Sequence, residues 1–108
     1  MNLSGATDLP LMITSVPQSI YYSCGGYMDG REETFQKENT ITVSEMLKAW
    51  TAGGQRNLGQ ENILGTLEEG KLADITVFDR NLLTADIKKI REAKVIMTIM
   101  DGQIVYKK

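Results

Sequence analysis

Apolar positions in this chain recur at two different spacings, and each spacing predicts its own kind of element. Between Thr42 and Thr51, the residues Val43, Met46, Leu47 and Trp50 fall at i, i+3, i+4 and i+7, which puts all four on one face of an α-helix. Thr42 and Glu45 have the spacing of a capping box at its start, and Ile41 is placed to staple onto Met46. Gly53-Gly54 is expected to stop it, giving a main helix over residues 43 to 52. Further on the spacing falls to two: Ala73, Ile75 and Val77 point one way, and Asp74, Thr76 and Phe78 the other, which predicts a strand over residues 73 to 79. Two β-rich runs, Val95 to Met100 and Gln103 to Tyr106, flank Asp101-Gly102, the strongest short hairpin signal. A two-residue loop there pairs Ile99 with Ile104 and Met97 with Tyr106 on one face, and Thr98 with Val105 on the other. Both faces carry large apolar groups, so the sheet is expected to be covered on two sides.

The remaining signals are weaker. Residues 1 to 14 are dominated by turn chemistry. Ser15 and Gln18 again have capping-box spacing, with Pro17 in the first turn, and predict a short helix near residues 16 to 24 that Gly25-Gly26 would end. Tyr27 to Thr40 is polar and charged and reads as an exposed connection. A short helical turn is expected around Asp86 to Glu92, with Ile87 and Ile90 on one side. The expected fold is α+β: one main helix packed on a small antiparallel sheet of the strand at 73 to 79 and the terminal hairpin.

Composition narrows what such a fold can do. Twelve Lys and Arg stand against fourteen Asp and Glu, a net charge of −2 spread without a run of either sign, so there is no electrostatic footprint for nucleic acid or an anionic membrane. No apolar segment approaches the roughly 20 residues that span a bilayer, and the expectation is a soluble, cytoplasmic protein. With one cysteine, Cys24, no intramolecular disulfide can form. The sequence contains no histidine, the commonest metal ligand and the usual general acid or base near neutral pH. Self-contained Ser-His-Asp, Cys-His and His-rich zinc sites are therefore excluded.

Candidate chemistry has to be weighed against plainer roles. Asp8, in Ala6-Thr7-Asp8-Leu9-Pro10, has a carboxylate that could ligate a divalent cation and accept a proton from bound water. The plainer role is a turn in which that side chain bonds a backbone N–H two residues on. Cys24 has no histidine to activate it and reads as a small helix-end residue. The glycines at 25, 26, 53 and 54 lack the Lys and Ser or Thr of a phosphate-cradling loop and read as helix terminators. Trp50 and the tyrosines, without a basic surface, read as core or rim.

The order of these blocks resembles a known family. Gly65-Thr66-Leu67-Glu68-Glu69-Gly70-Lys71-Leu72-Ala73-Asp74, continuing to Asp79, resembles the segment closing the chain of many amidohydrolase-superfamily enzymes, where a Gly-x-Ile/Leu-x-x-Gly-Lys-x-Ala-Asp pattern enters the small β-sandwich beside the barrel. Thr42 to Thr51 is similar to the family's final helix, Leu58-Gly59 to the turn after it, and Val95 to Tyr106 to its terminal hairpin. The branch it resembles is amidohydrolase family 3, N-substituted formamide deformylase-like. Thr7-Asp8-Leu9-Pro10 resembles the Ser-Asp-x-Pro at the end of the eighth barrel strand, with Thr in place of Ser.

The resemblance implies that Asp8 is metal ligand and catalytic base, but only in an intact parent. The family's other ligands, a His-x-His pair and a lysine or further histidines, lie upstream of the matched segment. It also implies a divalent metal, zinc, in that parent and no cofactor held by this chain alone. A complete (β/α)₈ barrel takes about 250 residues. A chain of 108 would hold residues 1 to 40 as the end of the barrel and residues 41 to 108 as the final helix plus the C-terminal share of the sandwich. Met1, just ahead of the Asp8 motif, suggests a truncated product or an expressed fragment. Two functional readings follow: a fragment of a metal-dependent amidohydrolase acting on amide or related C–N bonds, inactive alone, or a stand-alone non-enzymatic interaction module derived from the sandwich. Expected partners are the missing barrel or a second copy, through an exposed sheet edge or apolar surface.

Overall fold

The computed structural model describes residues 2–6, 15–28, 30–31 and 33–108. Helix α1 spans Val16–Gly25, where the spacing of Ser15, Pro17 and Gln18 places it: Ser15 Oγ accepts from the Gln18 N–H at 3.3 Å and the Gly26 N–H closes the other end on Tyr22 O. The polar connection that follows is exposed and holds one 3₁₀ turn, Lys37–Asn39. Helix α2 spans Val43–Lys48 behind a complete capping box, in which the Thr42 hydroxyl accepts from the Glu45 N–H and the Glu45 carboxylate accepts from the Thr42 N–H.

The expected stop at Gly53-Gly54 does not occur. The chain continues through a π turn, Ala49–Gly53, in which Thr51 Oγ1 donates to Leu47 O, and then through a short helix α3, Gly54–Asn57. Gly53 and Gly54 both have right-handed helical dihedrals. The glycine at 53 answers a packing demand instead: a Cβ there would run into Leu3 O, because residues 2–6 lie along this side of the helix, with the Gly5 N–H donating to Ala49 O at 3.0 Å. Termination comes at Gly59, whose φ of 69° is the left-handed conformation that ends a helix.

The sheet has three antiparallel strands in the order β1-β2-β3: β1 Ile75–Phe78, β2 Val95–Met100 and β3 Gln103–Lys107. Asp101 and Gly102 make the two-residue turn with φ of 47° and 75°, the double positive φ of a type I′ hairpin. Ile99 pairs with Ile104 as expected, but the other two expected pairs do not form: Thr98 pairs with Tyr106 and Met97 with Lys107. Val105 is an extra residue on β3, a bulge that shifts the register by one beyond Ile104. A second irregularity makes Ile96 the extra residue on β2 opposite Val77 and Phe78. The expected turn near 86 to 92 is a 3₁₀ turn, Ile90–Glu92.

The buried core is small and lies on the helical side: Ile20 and Tyr21 of α1, Met46 of α2, Leu82, and Ile90 of the 3₁₀ turn. Phe78, Leu47 and Trp50 pack around it. The main helix therefore buries its stripe chiefly against α1, and an open groove of about 1060 Å³ lies between α2, α3 and the sheet. Two-sided cover of the sheet is not present among the described residues, since every residue of β3 is exposed. One short helix layer is too narrow to cover both α1 and a three-stranded sheet. No helix of the described residues is long and apolar enough to cross a membrane.

Candidate functional site

The candidate metal ligand and base, Asp8, lies outside the described residues, as do Thr7, Leu9 and Pro10. Its flanks are described. On one side Gly5 is held against the Trp50 ring and hydrogen-bonded to Ala49 O, and the Asn2 side chain donates to Asn57 Oδ1 at 2.6 Å. On the other, Ser15 caps α1.

Each remaining candidate group has a structural occupation. Cys24 is half-buried, and its thiol is pushed up to about 11, by burial first and then by the negative charge of Glu45. A thiol held in that state stays protonated near neutral pH and is a poor nucleophile. The hydrogen bonds from Thr42 hold the Glu45 carboxyl below its ordinary range, and it serves the cap. Asp79 is held low by Arg80 and by the Lys94 N–H, which it accepts at 3.1 Å, and Arg80 also reaches Glu92 at 3.6 Å. Glu68 is held low by Thr66 and Lys71 within the turn at Gly70. None of these carboxylates is raised toward neutrality, as a poised general base would be.

One role was missed in the sequence. The Asp74 carboxylate accepts from the Asp101 N–H at 2.8 Å and Ala73 O accepts from the Gly102 N–H at 3.1 Å, so the Ala-Asp pair ties the entrance of β1 to the hairpin turn. The signal was the joint presence of Ala73-Asp74 and Asp101-Gly102, but nothing local says that they meet.

Two hollows stand out among the described residues. The groove between helix and sheet is lined by Leu47, Trp50, Gln55, Ile75, Val77 and Phe78, among others. Trp50 Nε1 and Gln55 Oε1 are buried there without a hydrogen-bond partner among the described residues. A second hollow of about 410 Å³ lies at the end of α1, with Arg31, Lys88 and Arg91 around the stacked rings of Tyr21 and Tyr27, whose centroids are 4.9 Å apart. Arg91 sits 4.7 Å over the Tyr21 ring. Its lining is positive and offers no nucleophile or base for hydrolysis.

A divalent hydrolytic ion does not fit this donor set. No three His, Cys, Asp or Glu side chains among the described residues come together to hold one, and the sequence offers no imidazole.

Comparison with known proteins gives a consistent picture. A profile described as amidohydrolase family matches residues 1–106. A dihydroorotase from Aquifex aeolicus is 33% identical over 85 residues, covering 66% of this chain and 20% of that protein. An N-substituted formamide deformylase from Arthrobacter pascens is 27% identical over 73 residues, covering 68% of this chain and 14% of that protein. Among solved structures, an amidohydrolase from Thermotoga maritima superposes with a TM-score of 0.55 at 24% identity, over 66% of this chain and 17% of that one, a likeness that shows the fold alone. The chain spans a fifth or less of the length of the curated relatives it matches.

Proposed function

Because this chain belongs to the amidohydrolase family, we propose that it is the C-terminal segment of a metal-dependent hydrolase of amide or related C–N bonds, and that it has no hydrolytic activity by itself. The observation that carries this reading is the donor set: a family member without one histidine in 108 residues has to take its ligands from another stretch of polypeptide. In this reading residues 1 to 40 are the end of the barrel, and residues 41 to 108 are the final helix and the C-terminal share of a β-sandwich. Asp8 is ligand and base only where the upstream imidazoles are supplied. A divalent metal, zinc in this reading, is a property of that larger protein. The described residues serve structure: caps, turns and the Asp74 tie that sets the hairpin against β1. The small core and the uncovered sheet support this, since a domain that ends in exposed apolar strands has surface left for the remainder of a larger one.

The size of the native polypeptide tests the proposal. An antibody against residues 43 to 106 should detect a product roughly three to five times heavier than 12.0 kDa, since 66% and 68% of this chain match 20% and 14% of the two relatives. A native product of 12.0 kDa would reject the fragment reading and favour the stand-alone interaction module, for which the exposed β3 is the specific observation. Turnover by the purified chain that Asp8→Asn abolishes would overturn both.

A further inference from the structure

We propose that β3 is a homotypic docking edge: two copies of this chain pair their β3 strands antiparallel about Ile104, joining two three-stranded sheets into one. The first ground is exposure. Ile104 is 58%, Val105 56% and Tyr106 47% exposed, a run of large side chains on the outer strand of the sheet. A strand of this kind offers its unused N–H and C=O groups to another strand.

The second ground is backbone phase. Met100 and Gln103 flank the two-residue turn and form the hydrogen-bonded pair next to it, so the following pair, Ile99 with Ile104, is the non-hydrogen-bonded kind. The N–H and C=O of Ile104 therefore face away from β2. A two-fold axis through Ile104 makes each copy both donate to and accept from the same residue of the other.

The third ground is charge. Antiparallel pairing about Ile104 carries the turn that bears Asp101 in each copy toward the Lys107 end of the other, so that both ends of the joint carry one acidic and one basic side chain. Parallel pairing would set Lys107 and Lys108 of both copies side by side, which is unfavourable. The usual protections of an edge are sparse here. β3 contains no proline, its charged side chain lies at its end, and its one irregularity is the bulge at Val105. The inference stands on the sheet of this chain and needs neither a metal nor a parent enzyme.

Sedimentation velocity on the full chain, from micromolar to millimolar concentration, reads the pairing directly. One five-residue strand a side is at the small end of interfaces, so the mass should climb from 12.0 kDa toward twice that value only in the upper part of the range. Ile104→Pro removes an N–H that β2 does not use, and should weaken association about tenfold or more while circular dichroism stays unchanged. Lys107→Glu keeps the backbone intact and brings an acidic side chain toward the turn that bears Asp101 in the other copy, for a loss of about three- to tenfold. A strictly monomeric chain at millimolar concentration would overturn the proposal. So would a dimer that ignores both substitutions, or association seen only when an extended peptide of different sequence is added.

Discussion

Replacing Ile90 by alanine isolates the contact that joins the two halves of the chain. Ile90 is fully buried, sits in the 3₁₀ turn just before β2, and packs into the same cluster as Ile20 and Tyr21 of α1 and Met46 of α2. The substitution removes three carbons, about 2.4 kcal/mol at ~0.8 kcal/mol per buried CH₂. The void left behind raises this toward the middle of the range of about 2 to 5 kcal/mol for Ile→Ala, and we expect about 3 kcal/mol. A domain of this length has roughly 5 to 15 kcal/mol in all, and a core cluster of five buried side chains among the described residues puts this one at the lower end. The melting midpoint should then fall by more than about 10 °C. Urea unfolding followed through Trp50, the single tryptophan and part of the packing around this cluster, measures the change. Ile104→Ala is the control, because at 58% exposure on β3 the same kind of truncation should cost under about 0.5 kcal/mol in dilute solution. If Ile90→Ala costs less than about 1 kcal/mol, or no more than the control, then the core is not where the structure puts it.

Gly53 and Gly54 should respond oppositely to alanine. At Gly54 the nearest atom to an added Cβ is Ala49 O at 3.9 Å and the backbone is helical, so Gly54→Ala should stabilise by up to about 1 kcal/mol in the same urea assay. Gly53→Ala should push residues 2–6 off the helix, seen as loss of hydrogen-exchange protection at the Gly5 amide; unchanged protection would refute the close approach. Cys24 should alkylate slowly at pH 8 in the folded chain and at the ordinary rate in urea. Its folded pKa of about 11 lies above the ordinary 9.0, so the unfolded chain loses its proton first and stability should fall as pH rises from 9.0 toward 11. A Cys24→Ala variant showing the same fall would assign it to other groups.

What could be read from the sequence was what neighbours in the chain decide. The Thr42 and Ser15 caps, the alternation through Ile75 and Val77, and the Asp101-Gly102 turn all depend on residues within about four positions of one another, and all formed. The misreadings share a different cause. Gly53-Gly54 looks like a helix stop because glycine usually is one, but here Leu3 O from fifty residues away occupies the space of a side chain. The pairing beyond Ile104 failed because a bulge changes register without leaving a mark in the alternation of so short a strand. The cover of the sheet was misjudged because periodicity says that a face is apolar, and not what lies against it. Asp8 drew attention through a resemblance, and its setting lies outside the described residues.

The bonds from Ala73 and Asp74 to the turn at Gly102 and Asp101 bear on how this sheet can come apart. A free hairpin loosens from its tip inward, one rung at a time. Here the tip is lashed to the approach of the neighbouring strand, so the far end of the meander is fastened as well as its base. Such a ribbon opens as one cooperative piece, and the amides that bond one strand to the next within β1, β2 and β3 should exchange with solvent at a common rate set by the loss of all three strands together.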